Sequence, residues 1–241
     1  MNATLLIMRR ELGAYFRSMT GYIIAAAVLI VDGLLFNVFA LGGPEKRSGD
    51  VLVQFFYVSS GTTMIASIFL SMRLLAEEKQ TGTLALLSSS PIRDRDIVLG
   101  KFLSGWIFLG LMTLATAFMP ALIMVHGKIT FGHVAAGYLG LLLLGGAGMA
   151  IGTFGSALAK SQVLAAIISA GILVGLIIAW MLARVTEYPL NRVFEALAFY
   201  HRHFPPFQVG LIHVRDVVYY LAVIYFALFS ATRVLEARRW R

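Results

Sequence analysis

Glu77-Glu78-Lys79-Gln80-Thr81-Gly82-Thr83-Leu84 is a charged and polar run set between two long apolar stretches, residues 51–72 before it and 102–125 after it. Polar character continues as far as Lys101. About twenty apolar residues are needed to cross the hydrocarbon core of a bilayer. Both flanking stretches meet that length, so the segment joins two membrane spans and itself emerges into water. Its content is unusual for a linker. Arg73 to Lys101 reads as helix, turn, helix: a charged turn, a break at Thr81-Gly82-Thr83, and an apolar patch at Leu84, Leu86 and Leu87. Ser90-Pro91 then makes a helix start, with Ser90 as N-cap and Pro91 at the first position, where a missing N–H costs nothing. Asp94 and Asp96 suit the positive end of that helix. The pattern predicts a helix parallel to the membrane that offers Leu84, Leu87 and Ile92 to a soluble partner. A merely solvated connection rarely combines these features.

The composition excludes several classes. Of 241 residues, 59% are hydrophobic and 13% charged, against roughly 25% charged in soluble domains. The bilayer is therefore the main solvent. The net charge of +8 sits mainly beside apolar runs, where cations anchor to anionic lipid and set topology. No basic patch with interleaved aromatics lies in a polar region, so nucleic acid is not an expected partner. With no cysteine, disulfides, thiolate chemistry and Cys-type zinc sites are excluded. No cleavable leader is expected, because the first apolar run begins near Gly21 without a small-residue cleavage region after it.

Six stretches qualify as spans: 21–41, 51–72, 102–125, 134–158, 163–183 and 217–234. The fold class expected is an all-α integral membrane protein, one domain over residues 1–241. Only Ala159-Lys160-Ser161-Gln162 separates the fourth and fifth spans, which predicts a tight hairpin. With both termini inside, thirteen cations lie on inner segments and seven on outer ones, counted over all 20 Lys and Arg. The positive-inside rule favours that orientation, although four of the seven crowd the loop between spans five and six.

Two interfacial helices are expected. In residues 1–20, Leu5, Met8, Leu12, Tyr15 and Met19 recur at three- and four-residue steps, with Arg10 and Arg17 on another face. In the outer loop, 184–213, Leu190, Val193, Phe194, Leu197 and His201 share a helical spacing, with Pro205-Pro206 ending the segment. This second helix reads as a lid over a path or as a passive anchor, with Phe199, Pro205 and Phe207 as candidate outer-gate residues.

Sought chemistry is mostly missing. No G-x-x-x-x-G-K-[ST] loop occurs, and the Gly-x-x-x-Gly pairs Gly148/Gly152 and Gly171/Gly175 lie inside spans, where they suit close helix packing. The chain is not expected to hydrolyse ATP. His201 and His203 diverge on a helix and make no metal site, and His126, His133 and His213 read as interfacial. Asp32 is the acidic residue well inside a span. A charge there costs at least about 2.5 kcal/mol, so it should face protein or water. It is a candidate for a translocation path or dimer interface, with Asn37 nearby, or equally a hydrogen-bonded packing residue. Asp216 reads as a helix cap or a surface ion pair with Arg215.

Glu77-Glu78-Lys79-Gln80-Thr81-Gly82-Thr83-Leu84, then Leu86-Leu87, Ser90-Pro91 and Ile97-Val98-Leu99-Gly100-Lys101-Phe102, resembles the coupling region of ABC-2 type permeases, the membrane subunits of type V ABC exporters. Arg215-Asp216-Val217-Val218-Tyr219-Tyr220-Leu221 and Val234-Leu235-Glu236-Ala237-Arg238-Arg239-Trp240 resemble the permease of gliding-motility ABC transporters. The resemblance implies that the N-terminal helix is an elbow helix, that residues 73–101 carry a coupling helix, and that short outer helices partly re-enter the membrane. It implies ATPase contacts at Glu77, Glu78, Lys79, Thr81, Gly82, Thr83, Leu84, Leu87 and Pro91. It further implies a separate ATPase in two copies that holds ATP and Mg, a second permease subunit, identical or bearing a periplasmic region, and a bacterial inner-membrane location. No cofactor is expected on this chain. Two other classes stay open: a secondary transporter or channel, which needs more intramembrane charge than Asp32 supplies, and a membrane scaffold without transport.

Overall fold

The computed structural model of the protein describes residues 3–41, 47–83, 92–127 and 129–238. Among them the chain is helical, without strands. The helices are α1 (Ala3–Arg17), α2 (Met19–Leu35), α3 (Ser48–Ser71), α4 (Arg73–Gln80), α5 (Asp94–Ala115), α6 (Phe118–His126), α7 (Phe131–Leu158), α8 (Gln162–Val185), α9 (Leu190–Leu197), α10 (Pro205–Gln208) and α11 (Val214–Arg238). A π-helical turn, Phe36–Leu41, extends α2. Six helical stretches are long and apolar enough to span a membrane: Met19–Phe39, Ser48–Gln80, Asp94–Val125, Phe131–Leu158, Gln162–Val185 and Val214–Ala237. The all-α, six-span architecture expected from the sequence is the one observed.

Helix α7 is the centre of the bundle. Its spanning window is 83% buried, against 11% for the first span and 22% for each of the last two. A helix that is apolar all round must be enclosed all round, and its glycines show how. A Cβ at Gly137 would meet the Phe56 ring, one at Gly140 would meet Phe207, one at Gly145 Leu109 and Thr63, and one at Gly152 the Ser71 hydroxyl. Neighbouring helices therefore press on α7 from several directions, and lipid contacts are left to the outer spans.

Two apolar clusters mark the two ends of the bundle. One gathers Leu52, Phe56, Tyr138, Phe204, Phe207 and Tyr220. The other gathers Ile7, Tyr15, Leu74, Ile97, Phe108 and Leu235. The second defines what is called here the α1 end, shared by α1, α4, the start of α5, the α7–α8 turn and the end of α11. The far end holds α6, α9, α10 and the start of α11.

Local chemistry explains the breaks. Ser18 separates α1 from α2 and caps the latter, its hydroxyl accepting from the Gly21 N–H at 3.1 Å. The third span is interrupted at Thr116-Ala117, where the Thr116 hydroxyl turns back to the Thr113 carbonyl at 2.7 Å. Pro120 falls in the first turn of α6, where its lack of an N–H is harmless. Ser161 caps α8 through the Leu164 N–H at 3.3 Å, closing the expected α7–α8 hairpin.

The local details meet the expectations in part. The Ser90-Pro91 start lies outside the described residues, and the helix entering the third span begins at Asp94, after an extended Arg93. Asp94 and Asp96 do occupy its first turn. The inward face of α1 carries Ile7, Glu11 and Tyr15, whereas Leu5 and Met19 are exposed; α1 has apolar residues on two sides, and burial selected the side with the carboxylate. Pro205-Pro206 opens α10 rather than ending a segment, consistent with the preference of proline for a first helical turn. His201 lies past the end of α9, in a turn.

Candidate functional site

At the α1 end, three elements far apart in sequence meet around one buried cation. Lys101, in the second turn of α5, is 2% exposed. Its ammonium lies 2.9 Å from a Glu78 carboxylate oxygen on α4 and 3.3 Å from Glu11 on α1. Arg10 completes the group, 2.6 Å from Glu11 and 3.8 Å from Glu78. A buried ammonium is tolerable only when paired, and here two carboxylates from two other helices pair it. Burial opposes ionisation of Glu11, but Lys101 and then Arg10 outweigh it and hold the carboxyl below its usual range. Around this centre, Thr4 donates to Asp96 at 2.8 Å, Tyr15 stacks on Phe108 at 4.9 Å, and Gly100 admits Ile7 at close range. α1 is thereby fastened along α5 over three turns.

Helix α4 is fixed just as firmly on its other side. Met72 breaks it from α3, leaving first-turn N–H groups without intrahelical partners. Ser156 of α7 supplies one: its hydroxyl oxygen accepts from Leu75 N–H at 3.0 Å and Ala76 N–H at 2.9 Å, and its O–H donates to the Met72 carbonyl at 3.0 Å. Lys79 answers from α4. Its ammonium donates to the carbonyls of Ser156 and Ala159, each at 3.1 Å, and to that of Ala157. These are the orphan carbonyls of the α7 C-terminus, where a cation also meets the negative end of the helix dipole.

What remains exposed is the turn. Gln80, Thr81, Gly82 and Thr83 face solvent. Gly82 has φ +75°, a conformation that favours glycine. The Thr81 and Thr83 hydroxyls are 2.9 Å apart. Glu77 is half exposed and pairs with Arg73 at 2.9 Å. Between the turn and α1 lies a cavity of about 260 Å³ whose walls include Glu11, Tyr15, Arg73, Glu77, Glu78 and Lys101. The arrangement offers a polar edge mounted on three helices and, among the described residues, no metal cluster.

Residues 62–201, more than half of the chain, match the sequence model of the family described as ABC-2 family transporter protein. The chain belongs to that family. This ABC-2 protein is a permease of an ABC transporter, a multi-pass membrane protein, and its family implies association with an ABC ATPase subunit. No curated protein matches it at a significant level.

The structure distributes the predicted site residues of this permease unevenly. Of the ATPase-contact set, Glu77, Thr81, Gly82 and Thr83 lie together at the accessible turn, Glu78 and Lys79 are engaged by Lys101 and the α7 carbonyls, and Leu84, Leu87 and Pro91 lie outside the described residues. Asp32 is 3% exposed and accepts from the Thr62 hydroxyl at 2.8 Å, whereas Asn37 is exposed; Asp32 is thus hydrogen-bonded between α2 and α3. Phe199 and Phe207 are fully buried, the former donating its N–H to the Leu176 carbonyl and the latter set against Gly140, and Pro205 is half-buried beside them. Gly148 and Gly152 accept Ser67 and Ser71 of α3, while Gly171 and Gly175 have open space around them. His203 and Asp216 form a buried pair at 2.8 Å, with Asp216 wholly enclosed; Asp216 is more than a surface partner of Arg215. Glu11, Lys101 and Ser156 are site residues that the sequence did not single out. The available signals were small: a carboxylate within a basic amphipathic helix, and one lysine at the threshold of an apolar run.

Proposed function

We propose that this permease is the membrane half of an ATP-driven exporter or force transmitter, and that its ATPase docks on the Gln80–Thr83 turn and the adjoining face of α1. The observation that carries this reading is the Lys101–Glu11–Glu78 junction. A docking element can transmit motion only if it cannot slip against the spans it moves. The junction binds α1, α4 and α5 into one body, and Lys79 with Ser156 joins that body to the α7–α8 hairpin. A force on the exposed turn therefore reaches the second, third, fourth and fifth spans. α1 acts as the elbow helix and residues 73–101 as the coupling region. ATP and Mg belong to the partner, two copies of which close on nucleotide and shift the spans between states of different substrate affinity.

In this reading the α1 end faces the cytoplasm of a bacterium and the chain sits in its inner membrane, supported by thirteen cations against seven on the two sides. A second permease, identical or carrying a periplasmic region as in gliding-type relatives, completes the path. Open space at Gly171 and Gly175 suits a helix contributed by that subunit. The Gly82→Val, Thr83→Arg variant tests the docking surface: wild type co-purifies in mild detergent with an ATPase whose hydrolysis it stimulates, and the variant loses both while its own melting point changes little. Undiminished recovery of the ATPase with the variant contradicts the docking surface, and wild type that recovers no ATPase contradicts the whole reading.

A further inference from the structure

At the far end, the last turns of α8, helix α9 and the turn after it border an open cavity of about 500 Å³. Trp180, Arg184, Asn191, Glu195, His201 and Arg202 are in its walls. Two guanidinium groups thus face a single carboxylate. Arg202 is ion-paired with Glu195. Arg184 is in no ion pair among the described residues and lies over the Trp180 ring, 4.7 Å from its centroid. A stacked guanidinium uses its face and keeps its in-plane N–H edge for an oxyanion. His201 stacks on the same indole at 4.3 Å. The Asn191 amide oxygen is buried without a hydrogen-bond partner. An amide turned end for end exchanges its oxygen for its NH2 group, so this position offers an unfilled donor or acceptor to whatever enters.

The depth of the cavity is informative. It opens where α8 ends its span at Val185, beside α9, whose Leu190, Val193 and Leu197 are exposed. An amphipathic helix of that kind lies at the level of lipid headgroups. Cations are disfavoured in short loops on the side opposite the positive one, yet Arg184 and Arg202 are brought to one cavity there. Glu195 offsets one of them, and the surplus is cationic. A quaternary amine is a poor fit, since the indole already carries a guanidinium and an imidazole.

We propose that this cavity is a binding site for a phosphate group, with Arg184 and Arg202 as its guanidinium partners and His201 and Asn191 as hydrogen-bonding neighbours. Arginine edges match the paired oxygens of a phosphate. His201 provides a reporter: burial and then the charge of Arg184 lower its pKa, and an anion bound beside it raises that pKa again. The inference is independent of where the ATPase docks.

The test is native mass spectrometry of the purified chain offered phosphatidylglycerol and phosphatidylcholine in equal amounts, with and without inorganic phosphate. Phosphatidylglycerol is expected to be retained preferentially, and Arg184→Gln or Arg202→Gln to reduce that retention roughly tenfold, the loss of one charge-assisted hydrogen bond. Arg192→Gln, outside the cavity, leaves it unchanged. Arg184→Gln also leaves the Arg202–Glu195 pair in place, so it reads the site even where Arg202→Gln misfolds. Phosphatidylglycerol that resists inorganic phosphate identifies a lipid headgroup as the ligand. Displacement by inorganic phosphate, with the same arginine dependence and an upward shift of the His201 titration, identifies a soluble phosphate. Lipid retention untouched by Arg184→Gln, with no binding of inorganic phosphate, overturns the proposal.

Discussion

Lys101 sits 2% exposed beside Glu11 and Glu78, and its removal brings two carboxylates together with only Arg10 to divide between them. Breaking a buried pair in this way costs about 3–5 kcal/mol. Lys101→Ala is expected to lower the melting temperature in detergent well beyond Glu11→Gln, which leaves the Lys101–Glu78 contact whole. The Glu11 pKa is lowered from 4.5, so its contribution is complete above pH 4.5 and disappears as pH falls through the lowered value. Hydrogen-exchange protection along α1, relative to the intrinsic rate at each pH, should fall below pH 4.5 in wild type, and Glu11→Gln should show reduced protection already at neutral pH. Gly82, at φ +75°, adds a separate expectation: Gly82→Ala strains the exposed turn by roughly 1 kcal/mol, with little change in the core.

Among the elements, α7 and α8 present opposite uses of the same glycine spacing. Gly152→Leu drives a side chain into Ser71 and should destabilise the bundle by about 1–3 kcal/mol. Gly171→Ala meets open space and should hold or raise the stability of the chain alone by up to about 1 kcal/mol. Thermal unfolding of the two variants separates them. The same comparison explains which features could be read from the sequence. Spans, the short hairpin, α1 and α9 are matters of local composition and period, and each was legible. Gly148/Gly152 and Gly171/Gly175 are identical as patterns, and only neighbours distant in sequence distinguish them. The Lys101 junction joins positions 11, 78 and 101, and the His203–Asp216 pair closes across α10; no helical periodicity encodes such pairings. The side of α1 that meets the bundle is set in the same way. A helix with apolar residues on two sides is ambiguous until a partner charge selects one.

For the whole molecule, ABC-2 family membership and the clamp at the α1 end point to one division of labour. In the proposed mechanism, the central α7 and the helices against it would form the body that moves, α1 and α4 its handle, and the sparsely buried outer spans would meet lipid or another permease. At the far end, Phe199 and Phe207 are buried, Phe207 against Gly140 of α7 and Phe199 against Tyr220 of α11. Phe207→Ala removes an aromatic ring from that packing and should cost about 3–5 kcal/mol, loosening α10 to proteolysis without affecting ATPase recovery. If α1 and α4 are the handle, the ATPase sits at the α1 end. A photo-cross-linking residue placed at Thr83, and separately at Val209 on the far end, tests it in native membranes. A cross-link to an ATPase polypeptide is expected from position 83 and none from position 209. A cross-link from position 209, or none from position 83 with the protein fully folded, contradicts it.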